Sequence, residues 1–128
     1  MRTVKVNTAS PYDILIERGL IKNVGPLVKK VTEAEKVTII TDTNVGKLYA
    51  EDVKASLIES GFDASLFVYE AGEKSKNLNT INDMYSHMAD FHMSRKDIVL
   101  ALGGGVCGDM AGFAAATYMR GINFVQVP

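Results

Sequence analysis

Between Leu102 and Met110 the chain reads Gly103-Gly104-Gly105-Val106-Cys107-Gly108-Asp109. An apolar run, Asp97-Ile98-Val99-Leu100-Ala101-Leu102, leads into it, and a run of mostly small residues, Met110 to Tyr118, leads out. Strand, glycine turn and helix in that order make an anion site. Glycine lets the backbone approach a phosphate with no Cβ in the way. The helix N-terminus adds free N–H groups and the positive end of its dipole. Gly103, Gly105 and Gly108 satisfy G-x-G-x-x-G, which reads as the diphosphate turn of a dinucleotide enzyme. The competing reading is a structural strand-to-helix turn, because the acid that usually follows about 20 residues later does not appear before Pro128. Asp109 favours the ligand. An acid in a first helical turn suits the dipole, and its carboxylate can accept from ribose hydroxyls or a substrate.

Two more polar clusters follow strand-like runs. Thr41-Asp42-Thr43-Asn44 comes after KVTIIT, and Ala71-Gly72-Glu73-Lys74-Ser75-Lys76 after ASLFVYE. Asp42 and Asn44 have an ordinary reading as helix caps. The other reading is that an acid at the C-terminal end of a parallel strand faces a ligand crevice. Glu73 and Lys76 read either as solvated charge or as residues of that same crevice. His87 and His92 are five apart, neither i+3 nor i+4, so they do not share a helix face. They read as ordinary surface or core histidines, and the tyrosines and phenylalanines as core.

These clusters need a scaffold that puts three strand ends side by side. Parallel strands are expected near residues 36–41, 64–70, 97–102 and 123–127. Apolar spacing predicts helices over Leu20 to Val31, beginning at Pro26, over Val45 to Leu57, ending near Ser60-Gly61, and over Leu78 to Met88. Thr3 to Thr8 and Tyr12 to Glu17 are strand-like around the Ser10-Pro11 turn and pair as a hairpin. The expectation is one Rossmann-like α/β domain over residues 1–128, with a parallel sheet, right-handed crossovers and an N-terminal strand pair.

Composition fits this frame. Apolar residues make up 47% and charged residues 23% of the 128, as in ordinary globular domains. A net charge of −1 with no basic block argues against nucleic acid as partner. No apolar run approaches the roughly 18 residues of a membrane span, and the N-terminus lacks the apolar core of a signal peptide. The single Cys107 excludes an internal disulfide and a cysteine-based zinc site. The cytoplasm is the expected compartment. The chain closes on a strand pattern, Ile122 to Pro128, and is read as one domain of a longer protein.

Three motifs together, TDTNV at 41–45, AGEKSK at 71–76 and ALGGGVCGDMAGFAAATYMRGINFVQVP at 101–128, resemble the 3-dehydroquinate synthase family. The last is similar to the family signature GGGVxGDxAGFxAAxYxRGxxxxQxPT, and the resemblance covers the whole chain as the family's nucleotide-binding domain. It implies an NAD-dependent carbon–oxygen lyase of the shikimate pathway. Such an enzyme converts 3-deoxy-D-arabino-heptulosonate 7-phosphate to 3-dehydroquinate and phosphate through transient oxidation, β-elimination, reduction and aldol closure.

The resemblance assigns Asp42 and Asn44 to the adenosine end of NAD, and Glu73 and Lys76 to a second nucleotide-binding pair with Gly72 as their turn. Gly104, Gly105 and Val106 become the diphosphate cradle, Cys107 and Gly108 its continuation, and Asp109 a further NAD contact. Cys107 stands where the family often has isoleucine or valine, which favours packing over nucleophilic chemistry. Arg120 is implied as the substrate-binding arginine, a role its bidentate guanidinium suits. The metal, zinc or cobalt, is expected on a glutamate and two histidines of a helical C-terminal domain outside these 128 residues, so no metal ligands are expected here. The chain alone is expected to be inactive, and the full-length form to be a homodimer. Two alternatives stand beside this reading. One is a related sugar-phosphate cyclase such as 2-deoxy-scyllo-inosose synthase; the other is a nucleotide-binding module without catalysis.

Overall fold

The computed structural model describes all 128 residues, Met1–Pro128. The strand pair comes first. β1 (Arg2–Val6) and β2 (Tyr12–Ile16) form an antiparallel ribbon with Val4 opposite Ile14 and Val6 opposite Tyr12. Alternation puts these residues and Ile16 on one face, and Val4, Tyr12, Ile14 and Ile16 are exposed there.

A short 3-10 turn (Leu20–Asn23) then runs into α1 (Val24–Lys29), so the helical stretch begins before Pro26 rather than at it. Proline is tolerated because it still lies in the first turn of α1, where its missing N–H costs nothing. Gly25 has a separate reason. A Cβ there would lie 2.0 Å from the Ser56 carbonyl oxygen, because α1 crosses a later helix at backbone contact. The Gly25 N–H donates to Ser56 Oγ at 2.9 Å across that crossing.

The remaining elements alternate strand and helix. β3 (Lys36–Asp42) leads through α2 (Thr43–Val45) and a π turn (Gly46–Ala50) into α3 (Glu51–Glu59). β4 (Asp63–Tyr69), α4 (Leu78–Asp90), β5 (Ile98–Leu102), α5 (Gly105–Thr117) and β6 (Phe124–Val127) follow. All four expected parallel strands form, in the order β4-β3-β5-β6.

Period-two alternation sorts the side chains into two cores, one on each face of the sheet. Val37, Ile39, Ile98 and Leu100 pack with α1 and α3 residues such as Val28, Val53 and Leu57. Ile40, Val99 and Ala101 pack on the other face with Met84 and Met88 of α4 and Met110, Ala111 and Ala114 of α5. β5 is buried along its whole length, as a central strand covered on both faces must be. The chain moves from β3 outward to β4, then crosses back to β5 on β3's other side. The sheet order therefore reverses between β3 and β5, and a crevice opens at their C-terminal ends.

Candidate functional site

Each of the three polar clusters lies at a strand's C-terminal end on this crevice. Asp42 ends β3. Its carboxylate accepts from the Val45 N–H at 2.7 Å, so it is the N-cap of α2. Asn44, on the first turn, is exposed. The loop after β4 turns at Gly72, whose φ of 120° suits glycine. It is tied to its neighbour where Ala71 N–H donates to Thr43 Oγ1 at 3.1 Å. Asn77 then caps α4 by accepting from Thr80 N–H at 2.9 Å.

The third cluster follows β5, and here the structure moves a boundary. α5 begins at Gly105, so Val106, Cys107 and Gly108 are helical rather than a continuing loop. Gly104 is the N-cap, with no side chain to cap the helix. The Gly108 N–H already donates to the Gly104 carbonyl at 3.0 Å. The amides of Gly105, Val106 and Cys107 precede the first intrahelical bond and point out of the helix end toward the crevice.

The shift also moves Asp109 into the second turn, so the helix dipole is not what holds its charge. Its partner is Lys76, whose Nζ donates to Asp109 Oδ2 at 2.9 Å and whose pKa is raised by that bond. The pair joins the Gly72 loop to α5 over a groove of about 400 Å³ lined by Leu78, Ile81, Met110 and Phe113.

The four glycines of the turn are not equivalent. Gly103 has a φ of 153°, and a Cβ on it would lie 3.0 Å from the Cys107 Cβ. At Gly108 a Cβ would meet Gln126 Oε1 of β6 at 3.0 Å. At Gly104 and Gly105 a Cβ would meet no atom of the chain within 4 Å, and neither has a positive φ. Internal packing explains Gly103, at Gly108 only the tip of the exposed Gln126 side chain stands in the way, and nothing in the chain crowds Gly104 or Gly105. The space over Gly104 and Gly105 is open to a group from outside the chain, and a diphosphate on the free amides would fit that opening.

The family model described as 3-dehydroquinate synthase N-terminal matches residues 66–128. The 3-dehydroquinate synthase of Streptococcus thermophilus is 55% identical over 93% of this chain, and that of Clostridium acetobutylicum 43% identical over 100%. This chain belongs to the 3-dehydroquinate synthase family. It spans about a third of those relatives, 34% and 36% of their respective lengths.

Solved structures agree on the fold. The 2-epi-5-epi-valiolone synthase of Streptomyces hygroscopicus, with NAD⁺ and Zn²⁺ bound, is 31% identical with a TM-score of 0.79 over 100% of this chain and 35% of its own. A 2-deoxy-scyllo-inosose synthase complexed with carbaglucose-6-phosphate, NAD⁺ and Co²⁺ superposes with a TM-score of 0.88 over 99% of this chain and 35% of its own, at 20% identity.

Set against the family expectation, the fold gathers Asp42, Gly72, Glu73, Lys76 and residues 104–109 at one edge of the sheet. Arg120 is not among them. α5 runs antiparallel to the strands for 13 residues, which carries Arg120 about 20 Å away, to the sheet's opposite edge. Its expected role as the substrate-binding arginine is therefore placed apart from the nucleotide crevice, beyond the far end of α5. Cys107 is 1% exposed, and its thiol donates to the Ile40 carbonyl at 3.1 Å. Burial pushes its pKa up to about 11, so the thiol stays protonated and packs rather than attacks.

No group of three or more His, Cys, Asp or Glu side chains stands close enough to hold a metal ion, and no helix is long and apolar enough to cross a membrane. One polar group escaped the sequence reading. The Tyr69 hydroxyl at the end of β4 is buried beside the Cys107 thiol and the Asp42 carboxylate. Its only signal in sequence was position: it is the last strand residue before the AGEKSK loop.

Proposed function

We propose that this chain is the NAD-binding part of a 3-dehydroquinate synthase, the shikimate-pathway lyase that releases phosphate from 3-deoxy-D-arabino-heptulosonate 7-phosphate. The observation that carries the reading is the open, glycine-only approach at Gly104 and Gly105 to three free amides, at the point where the sheet order reverses. In this reading Gly104, Gly105 and Val106 hold the diphosphate, with Cys107 and Gly108 fixing the helix beneath it. Asp42 and Asn44 hold the adenosine side. Gly72, Glu73, Lys76 and Asp109 hold the remaining ribose and the edge of the groove.

When bound, NAD supplies a hydride acceptor at one substrate hydroxyl, which acidifies the neighbouring C–H for β-elimination and is regenerated later in the cycle. The chain's own residues bind and orient. The Lys76–Asp109 pair fixes the Gly72 loop against α5, and the buried Cys107 thiol anchors the helix start to β3. A divalent metal, zinc or cobalt, would be held by residues outside these 128, as would much of the sugar-phosphate pocket. The chain alone is therefore expected to give no turnover of the heptulosonate phosphate. A cytoplasmic homodimer is the expected setting of the whole protein. The 31% identity to a 2-epi-5-epi-valiolone synthase over the full chain supports a second reading, a cyclase of another sugar phosphate. Assay of the full-length open reading frame against both substrate types separates them.

The direct test is calorimetric titration of the chain with NAD⁺ beside its Gly105→Leu variant. Saturable binding by the parent is expected. The variant should lose at least about tenfold in affinity with a melting temperature level with the parent's or slightly higher, since its side chain enters open space and glycine is the weaker helix former. Equal binding by the two would remove the diphosphate from this turn.

A further inference from the structure

β3 and β4 stay in register as far as Asp42 opposite Tyr69. Beyond that point β3 turns into α2, and its backbone no longer runs beside β4. One side chain continues the ladder. The Ala71 N–H donates to the Thr43 Oγ1 at 3.1 Å, in a half-buried position. Local structure gives that oxygen no other work. α2 already has its cap in the Asp42 carboxylate, which accepts from the Val45 N–H.

The segment that this bond holds, Glu70 to Asn77, is otherwise closed on itself. Ser75 Oγ donates to the Glu70 carbonyl at 2.5 Å, the Lys76 N–H to the Glu73 carbonyl at 2.9 Å, and Asn77 Nδ2 to the Lys74 carbonyl at 2.9 Å. These bonds give the loop a shape but do not fix its place on the sheet. Two contacts do that: Ala71 on Thr43, and Lys76 on Asp109. The second joins two exposed side chains. An exposed ion pair costs side-chain entropy and is screened by salt, so it holds a loop weakly. The first joins a half-buried backbone N–H to a short β-branched side chain, which has little freedom left to lose. The turn at Gly72, with its φ of 120°, begins at the next residue. Where Ala71 sits therefore decides where Glu73 and Lys76 stand.

We propose that Thr43 is a positioning residue of the nucleotide site. Its hydroxyl holds the Gly72 loop against the end of β3, and so sets the spacing between Asp42 and Asn44 on one side and Glu73 and Lys76 on the other. The proposal rests on the NAD reading above and adds a residue to which that reading assigns no role. Thr43 acts through the Ala71 amide. Without that bond the loop must be re-ordered each time ligand binds, and the cost of ordering is subtracted from affinity.

Two variants test this. Thr43→Val keeps the shape and removes the acceptor; Thr43→Ser keeps the acceptor. In the ligand-free protein the Ala71 amide should exchange faster with solvent in Thr43→Val, with the amides of α3 and α5 unchanged. The NAD⁺ dissociation constant of that variant, measured by calorimetry, should rise about three- to tenfold. Thr43→Ser should match the parent in both measurements. Equal NAD⁺ affinity in Thr43→Val and the parent overturns the proposal and leaves the NAD reading intact. So does a Thr43→Ser variant as weak as Thr43→Val, because the acceptor is then not what matters. A loss of affinity with Ala71 exchange unchanged also overturns it, making the hydroxyl a direct ligand contact. If the parent itself does not bind NAD⁺, the NAD reading falls and the positioning role falls with it.

Discussion

The two edges of the parallel sheet treat their buried polar groups in opposite ways. At the N-terminal edge, Asp97 accepts from Glu35 N–H at 3.2 Å, Lys36 N–H at 3.0 Å and Ser94 N–H at 2.7 Å. Nearby, Thr38, Ser65 and His87 form a hydrogen-bonded chain with 3.0 Å links. At the C-terminal edge the free amides of α5 and the uncapped Gly104 find nothing within the protein. One edge is finished by the chain itself. The other keeps polar groups that the chain does not pair, and local rules of good folding fail there as they do at functional sites.

The sharpest way to break this contrast is to damage the finished edge. Asp97→Ala leaves three N–H groups at the strand starts without their acceptor. A loss of about 3 kcal/mol in stability is expected from urea unfolding, with NAD⁺ affinity unchanged in the protein that remains folded. Impaired NAD⁺ binding would mean that the two edges are not independent.

Gly103→Ala strikes the junction of fold and site. The new Cβ meets Cys107 at 3.0 Å on a backbone with φ 153°, and the neighbour is a helix residue that cannot swing away. About 1–3 kcal/mol of stability should be lost, together with NAD⁺ affinity, because the turn itself must shift. Stability falling alone would separate the turn's geometry from ligand binding.

Acidification probes the finished edge more gently. Burial works to raise the Asp97 pKa, but its three backbone donors outweigh burial and hold it below the usual carboxylate value. The unfolded chain therefore takes up the proton first. The stability Asp97 contributes is complete above about pH 4 and is lost as pH falls through its native value. Burial lowers the His87 pKa, against the pull of Asp90. Its loss has the same sign but starts higher, below about pH 6.5. Stability should thus fall in two steps on acidification, and His87→Gln should remove the upper one. A profile unchanged by that substitution would mean that His87 titrates alike in both states.

Much of this was legible beforehand. The four parallel strands and the hairpin followed from apolar runs and turn residues, since a strand buried on both faces has few other ways to look. The three strand-end clusters could be placed on one crevice because β-α repeats put every such loop on the same side. What escaped depended on distances between elements. The 2.0 Å approach of a Cβ at Gly25 to Ser56 explains a glycine beside a proline that read as a helix break. The start of α5 at Gly105 was hidden because glycine is a poor helix former, yet Gly108 and Gly112 lie where the helix comes close to the Gln126 and Phe124 side chains of β6. Arg120 looked close to the turn in sequence and is a helix length away in space. Tyr69 gave no sign that its hydroxyl would be buried beside Cys107 and Asp42.

The smallest expected change in stability is the most informative about the site. Gly105 opens α5 with helical geometry, and a Cβ there would meet nothing within 4 Å, so alanine fits without strain. Replacing glycine there restricts the unfolded chain, and a gain of about 0.4–1 kcal/mol is expected. The same methyl group stands in the path by which a diphosphate reaches the amides of Val106 and Cys107, so NAD⁺ affinity should fall. A variant more stable than its parent yet weaker for NAD⁺ would show that this glycine is kept for the ligand at the fold's expense. A gain in stability with full affinity would instead make Gly105 a residue the fold merely tolerates, and the distinction between the two pairs of glycines in the turn would no longer hold.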